Sequence, residues 1–168
     1  LDTSRGLGDV YKRQTKNGGK CILTKKDHKT GTDRIFEAYQ ELKEDSIEYV
    51  INLQGDEPML DIEDVNNLLK KTIEKKSKIS TLACKIEDEK FFLNKNIVKV
   101  TTKEELHQTN LSRASSFTRE IKNTQKYIYH HIGIYIYNVS YLEKFVQLEQ
   151  TRNEKIQKLE QLRLMDNN

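Results

Sequence analysis

Gln54-Gly55-Asp56-Glu57-Pro58 follows directly on the apolar run from Tyr49 to Leu53. A carboxylate placed there projects from the rim of a sheet, where a divalent cation and a triphosphate can meet. Magnesium favours one or two protein carboxylates together with phosphate oxygens, which makes Asp56 a natural ligand. Gly55 would let the backbone come close to a bound group. The same five residues also compose an ordinary polar turn between a strand and a helix.

Asp27-His28-Lys29-Thr30-Gly31-Thr32-Asp33-Arg34 is a second stretch suited to chemistry, because it opens a helix. Free backbone N–H groups at a helix start favour acceptor oxygens, and Thr32 is a good cap. Arg34 adds a planar fork of donors that suits carbonyl or phosphate oxygens. A plain capped helix start uses the same residues. In Tyr127 to Tyr137 the period of two puts Ile128, His130, Ile132, Ile134 and Ile136 on one face and Tyr127, Tyr129, His131, Gly133, Tyr135 and Tyr137 on the other. The first face is core-like. The second is aromatic and polar, and His131 and Tyr135 could bind a hydroxyl-rich molecule as hydrogen-bond partners; a strand packed under aromatic side chains reads the same way. His130 and His131 fall on opposite faces and cannot share a metal. Arg113 has the donor geometry for a carboxylate, and also describes a solvated surface arginine. Glu160 and Gln161 read by default as exposed helix residues.

The elements that must position these groups alternate. Short strands are expected at Lys20 to Thr24, Tyr49 to Leu53, Ile79 to Ile86, Ile97 to Thr101 and Tyr127 to Tyr137. Helical spacing recurs at Ile35, Ala38, Tyr39 and Leu42, and again at Ile62, Val65, Leu69 and Ile73 behind a capping Asp61. Ser140 to Glu143 reads as a capping box opening a helix that buries Leu142, Phe145 and Val146. A last helix would carry Ile156, Leu159 and Leu162. Strands alternating with helices imply an α/β layer fold whose sheet is mainly parallel, with ligands gathered at the carboxyl ends of the strands.

Composition sets the outer bounds. The 168 residues, 19.8 kDa, have room for one core, and the charged fraction of 33% predicts a heavily solvated surface. The net charge of +3 comes from dispersed lysines, with no concentrated basic block or basic-aromatic alternation, which argues against nucleic acid. No apolar run approaches the roughly 20 residues that span a bilayer, so a membrane role is not expected and the chain reads as cytoplasmic. Cys21 and Cys84 form no metal or redox pair and read as buried or idle thiols. Residues 1–14 lack apolar period and read as a non-native, adaptor-derived or disordered segment, leaving 15–168 as a partial domain. After Leu159 to Arg163 a helical pattern stops without a stop signal, so both ends read as cut.

Taken in order, these pieces resemble the 3-deoxy-manno-octulosonate (Kdo) cytidylyltransferase family. The matching residues are Asp27-His28 with Gly31 to Arg34, Asn52 to Pro58, Ser112-Arg113-Ala114, His131 to Tyr135 and Leu159 to Arg163. The resemblance implies a three-layer, Rossmann-like nucleotidyltransferase fold with a mixed, mainly parallel sheet. It implies CTP and Kdo as substrates, CMP-Kdo and pyrophosphate as products, magnesium as cofactor, a place in lipopolysaccharide biosynthesis and a homodimeric full-length protein. By matching position Asp56 would hold the metal. Gln54, Arg113, His131, Tyr135, Glu160 and Gln161 would hold the sugar, and Gly31, Thr32 and Arg34 would contact the nucleotide. The family's basic, glycine-containing triphosphate loop has no counterpart in Leu1 to Lys20, and its second metal-binding aspartate lies beyond Asn168; the chain by itself is therefore expected to be inactive. Alternatives are a cytidylyltransferase for another acidic sugar, such as a nonulosonate, or a non-catalytic nucleotide-binding α/β module.

Overall fold

A computed structural model describes residues 15–53, 60–108, 110–121 and 126–167. The chain divides into two compact units, Leu1–Asp45 and Ser46–Asn168. In the first, helix α1 (Gly31–Leu42) starts where a hydroxyl side chain can satisfy an orphan amide: Thr30 accepts from the Asp33 amide at 3.3 Å. The cap is thus Thr30, and the expected cap, Thr32, lies inside the helix and is fully buried. Ahead of the helix, Lys20 to Thr24 is not a strand, and Leu23 is 93% exposed. No strand pairs with that segment among the described residues. Side chains of α1 hold its end instead: Arg34 Nη1 donates to Thr24 Oγ1 at 2.5 Å and to the Lys25 carbonyl at 3.0 Å, while the Glu37 carboxylate accepts from the Lys25 amide and pairs with His28.

In the second unit, β1 (Tyr49–Asn52) leads to α2 (Ile62–Glu74), which Asp61 caps as expected. Its buried stripe is Val65, Leu68 and Thr72, whereas Ile62 and Ile73 face solvent. Next come β2 (Ile79–Cys84), the short α3 (Glu89–Leu93), β3 (Lys99–Thr102), β4 (Ala114–Thr118) and the long β5 (Ile128–Asn138). Neither α3 nor β4 carries a strong periodic signal in the sequence. β5 runs one residue into Asn138, so the chain turns into α4 (Val139–Gln147) there. Asn138, rather than Ser140, supplies the cap. The single last helix that the sequence suggests is two: α5 (Arg152–Gln157) and α6 (Leu162–Asp166) are separated by Lys158 at φ 53°, a left-handed residue that ends a helix. The capping box belongs to α5, between Thr151 and Glu154.

The sheet is α/β in context but not mainly parallel. Among the described residues, every pairing is antiparallel: β5 with β1, β2 and β3, and β3 with β4. The alternation rule still holds in one respect. β1 and β2, joined through α2, run in the same direction, as a helical crossover requires. They do not neighbour each other, because β5 lies between them: Tyr137 stands opposite both Val50 and Ile79. Helices α2 and α4 pack against β5, and Ile134 to Tyr137 are buried on both faces. Val100, Phe117, Tyr129, Leu159 and Leu162 form a core cluster that ties α6, and Leu159 in the turn ahead of it, to the sheet.

Arg163 is 1% exposed, and its guanidinium donates through Nε and Nη2 to a Glu154 carboxylate that is itself 3% exposed, the closest approach being 2.7 Å. Arg163 also lies 4.3 Å from the Phe145 ring centre. Glu154 in addition accepts from the Thr151 amide and the Gln150 side chain. Removing one partner of such a pair strands the other charge in a low dielectric. Glu154→Gln should therefore cost about 3–5 kcal/mol of unfolding free energy, read from the urea midpoint at unchanged slope.

Candidate functional site

β5 positions the site by presenting a row of rings on one face. Phe117 meets His131 edge-on at 5.1 Å between ring centres, His131 lies 5.4 Å from Tyr135, and Tyr135 stacks on Tyr137 at 5.7 Å. The ladder register adds two polar neighbours. Asn52 of β1 and Thr81 of β2 are both paired with Tyr135, so all three project from the same face of the sheet. Thr81 Oγ1 lies 2.9 Å from His131 Nε2 and donates to the Ile134 carbonyl at 2.6 Å.

Burial sets the protonation of this face. His131 is pushed down to about 4, chiefly because the charged imidazolium loses solvation and secondarily through His130; it is neutral at pH 7. Tyr135 is held well above the usual phenol range by burial, with Tyr137 and the Glu160 carboxylate adding to it. Glu160 thus belongs to the electrostatic surroundings of Tyr135, and it and Gln161 are half-buried rather than exposed. Arg113 is exposed, and its carbonyl accepts from the Lys103 amide. Gln54 and Asp56 lie outside the described residues. In the Leu1–Asp45 unit, Gly31 is exposed with open space where a Cβ would stand, Thr32 is buried, and Arg34 is engaged by Thr24 and Lys25. Among the described residues no group of three or more His, Cys, Asp or Glu could hold a metal ion. Cys21 and Cys84 are exposed and not disulfide-bonded, and Cys84 Sγ lies 3.7 Å from His130 Nδ1. No described helix is long and apolar enough to cross a membrane.

Sequence reasoning missed Thr81 and the site role of Asn52. Thr81 sits in Ser80-Thr81-Leu82, where a β-branched residue is unremarkable in a strand, and only register places its hydroxyl on His131. Asn52 is 4% exposed and its Nδ2 has no hydrogen-bond partner among the described residues. A buried donor without an acceptor is costly. Replacing it with an apolar residue of similar size, Asn52→Leu, should raise the unfolding free energy by about 1 kcal/mol, measured by urea denaturation. His131 makes stability depend on pH. Its folded value lies below the ordinary 6.5, so the unfolded chain takes up the proton first. The contribution is complete above pH 6.5 and is lost as pH falls toward 4. Unfolding free energy should drop by about 2 kcal/mol from pH 7 to pH 5 through this group, and His131→Gln should flatten that slope by the same amount.

Comparison with known proteins places the geometry in a family. A 3-deoxy-manno-octulosonate cytidylyltransferase of Thermodesulfovibrio yellowstonii is 44% identical over 162 residues, covering 89% of this chain and 63% of that protein. The protein of the same description from Rhodopseudomonas palustris is 42% identical over 155 residues, covering 89% and 61%. The chain therefore spans about three-fifths of the length of these curated relatives. A solved structure, CMP:2-keto-3-deoxy-manno-octonic acid synthetase complexed with CTP, superposes with a TM-score of 0.80 at 32% identity, covering 95% of this chain and 64% of the other. The sheet built on β5, with its helices, is thus consistent with the nucleotidyltransferase α/β fold. The family profile described as cytidylyltransferase matches residues 8–168, and with that match the chain belongs to the cytidylyltransferase family.

Proposed function

We propose that the protein carrying this chain makes CMP-Kdo and pyrophosphate from CTP and Kdo, for lipopolysaccharide biosynthesis in the cytoplasm. The observation that carries the reading is the buried face of β5, where neutral His131, un-ionised Tyr135 and the unpaired donor of Asn52 stand together beside the Glu160 carboxylate. Such a face suits a molecule dense in hydroxyls better than a second protein, because each polar group has a complementary hydroxyl to meet. The relatives named above support the choice of sugar.

In the reaction, the anomeric hydroxyl oxygen of the sugar forms a bond to the α-phosphorus of CTP, the bond from that phosphorus to the bridging oxygen of pyrophosphate breaks, and the hydroxyl proton leaves to solvent. His131, Tyr135, Gln54, Glu160 and Gln161 would orient the sugar, with Arg113 at its carboxylate. Gly31, Thr32 and Arg34 would contact the nucleotide. Magnesium, held by Asp56, would supply shielding of the phosphate oxygens. We assign a homodimer to the full-length protein on family resemblance.

Pyrophosphate release by the protein that contains this chain, given CTP, magnesium and either Kdo or a nonulosonate, tests the reading. Kdo should be the preferred acid by kcat/KM, and His131→Ala should lower that ratio by roughly 10–100-fold, the worth of one or two substrate hydrogen bonds. Preference for the nonulosonate would move the function to that acid. Binding of CTP with no CMP-sugar formed would leave a nucleotide-binding module.

A further inference from the structure

The hydrogen bond between Thr81 and His131 has a direction that the rest of the geometry dictates. Thr81 Oγ1 carries one proton. It lies 2.6 Å from the Ile134 carbonyl oxygen, 3.1 Å from the Ile132 carbonyl oxygen and 2.9 Å from His131 Nε2. The two carbonyls can only accept. If the threonine proton pointed at Nε2, the hydroxyl oxygen would face both carbonyl oxygens at hydrogen-bond distance with nothing between them, a repulsive arrangement in a part-buried setting. The proton therefore goes to a carbonyl, and the imidazole must donate through Nε2–H. A neutral imidazole has one N–H, so Nδ1 carries a lone pair. No described residue hydrogen-bonds to Nδ1.

We propose that Thr81 is a positioning residue that locks His131 in the Nε2–H tautomer and so leaves Nδ1 as a hydrogen-bond acceptor for a donor group of the ligand. On the sugar-site reading above, that group is a hydroxyl and not the carboxylate. An acceptor nitrogen would repel a carboxylate, so His131 discriminates between the two ends of an acidic sugar. Asn52 offers the opposite polarity, a donor, on the far side of Tyr135 along the same register row.

Nitrogen-15 NMR of the histidine-labelled protein that contains this chain, at pH 7, reads the tautomer directly. The wild type should show a protonated Nε2 and an unprotonated Nδ1. Thr81→Ser should keep that pattern, since it keeps the hydroxyl. Thr81→Val should give a mixture of the two tautomers. A wild-type ring protonated at Nδ1, or a Thr81→Val ring unchanged from wild type, overturns the proposal; should the valine variant not fold, the wild-type and serine spectra still decide it. Kdo is then titrated into the wild type and the serine variant. It should shift the Nδ1 resonance in the direction of an accepted hydrogen bond. If the tautomers follow the prediction and Kdo leaves Nδ1 unmoved, the sugar-site reading fails while control of the imidazole by Thr81 stands.

Discussion

Strand β5 carries the hydrogen-bond partners of three other strands, and it is the constraint from which the remaining geometry follows. Its amides and carbonyls pair with β1 and β2 near one end and with β2 and β3 near the other. Backbone groups buried away from water must find partners. An eleven-residue strand with neighbours on both edges satisfies them while leaving both faces free to bury side chains. That is why Ile134 and Ile136 can face one layer while Tyr135 and Tyr137 face another. It is also why β1 and β2, arriving in the same direction through α2, end with Asn52 and Thr81 on one row with Tyr135.

The polar groups inside this framework are arranged by the same requirement. Glu154 meets an arginine, an amide of the helix start and a glutamine side chain, so its burial leaves few lone pairs unmet. Lys99 of β3, fully buried, donates to the carbonyls of Asn94 and Arg119, and its pKa is lowered by lost solvation and then by the Arg119 charge. His131 stays neutral because charging it would cost solvation, and His130 adds to that cost. Asn52 is the exception, with a buried donor unmatched at the end of β1. Among the described residues it is the buried side-chain atom left without a partner, and it lies on the face of the candidate site. Functional sites commonly hold such locally unfavourable groups.

The alternation of strand and helix, the pairing of Asp61 with the start of α2, and the two-residue period of β5 were legible in the residues because each depends on neighbours close in sequence. The order of the family's motifs was legible for a different reason, since side-chain identity at fixed intervals survives without knowledge of contacts. The limits of the last helices were not. The left-handed turn at Lys158 has no glycine to announce it, and it is tolerated because Leu159 and Leu162 gain burial in the sheet cluster while Ile156 stays outside.

Strand direction and cross-strand partners lay beyond the sequence altogether. Alternating elements suggested neighbouring parallel strands, but whether a later strand inserts between two earlier ones depends on competition among long-range pairings, each with its own loop-closure entropy and buried area. That competition, settled only in three dimensions, brought Thr81 to His131 across fifty residues of chain and turned a residue with no local signal into a neighbour of the candidate site. The amino-acid sequence determined which side chains could do the chemistry and which family they belong to. The tertiary structure decided which of them are neutral, which are buried and which face one another, because solvation and hydrogen-bond direction are properties of the packed surroundings and not of any residue alone.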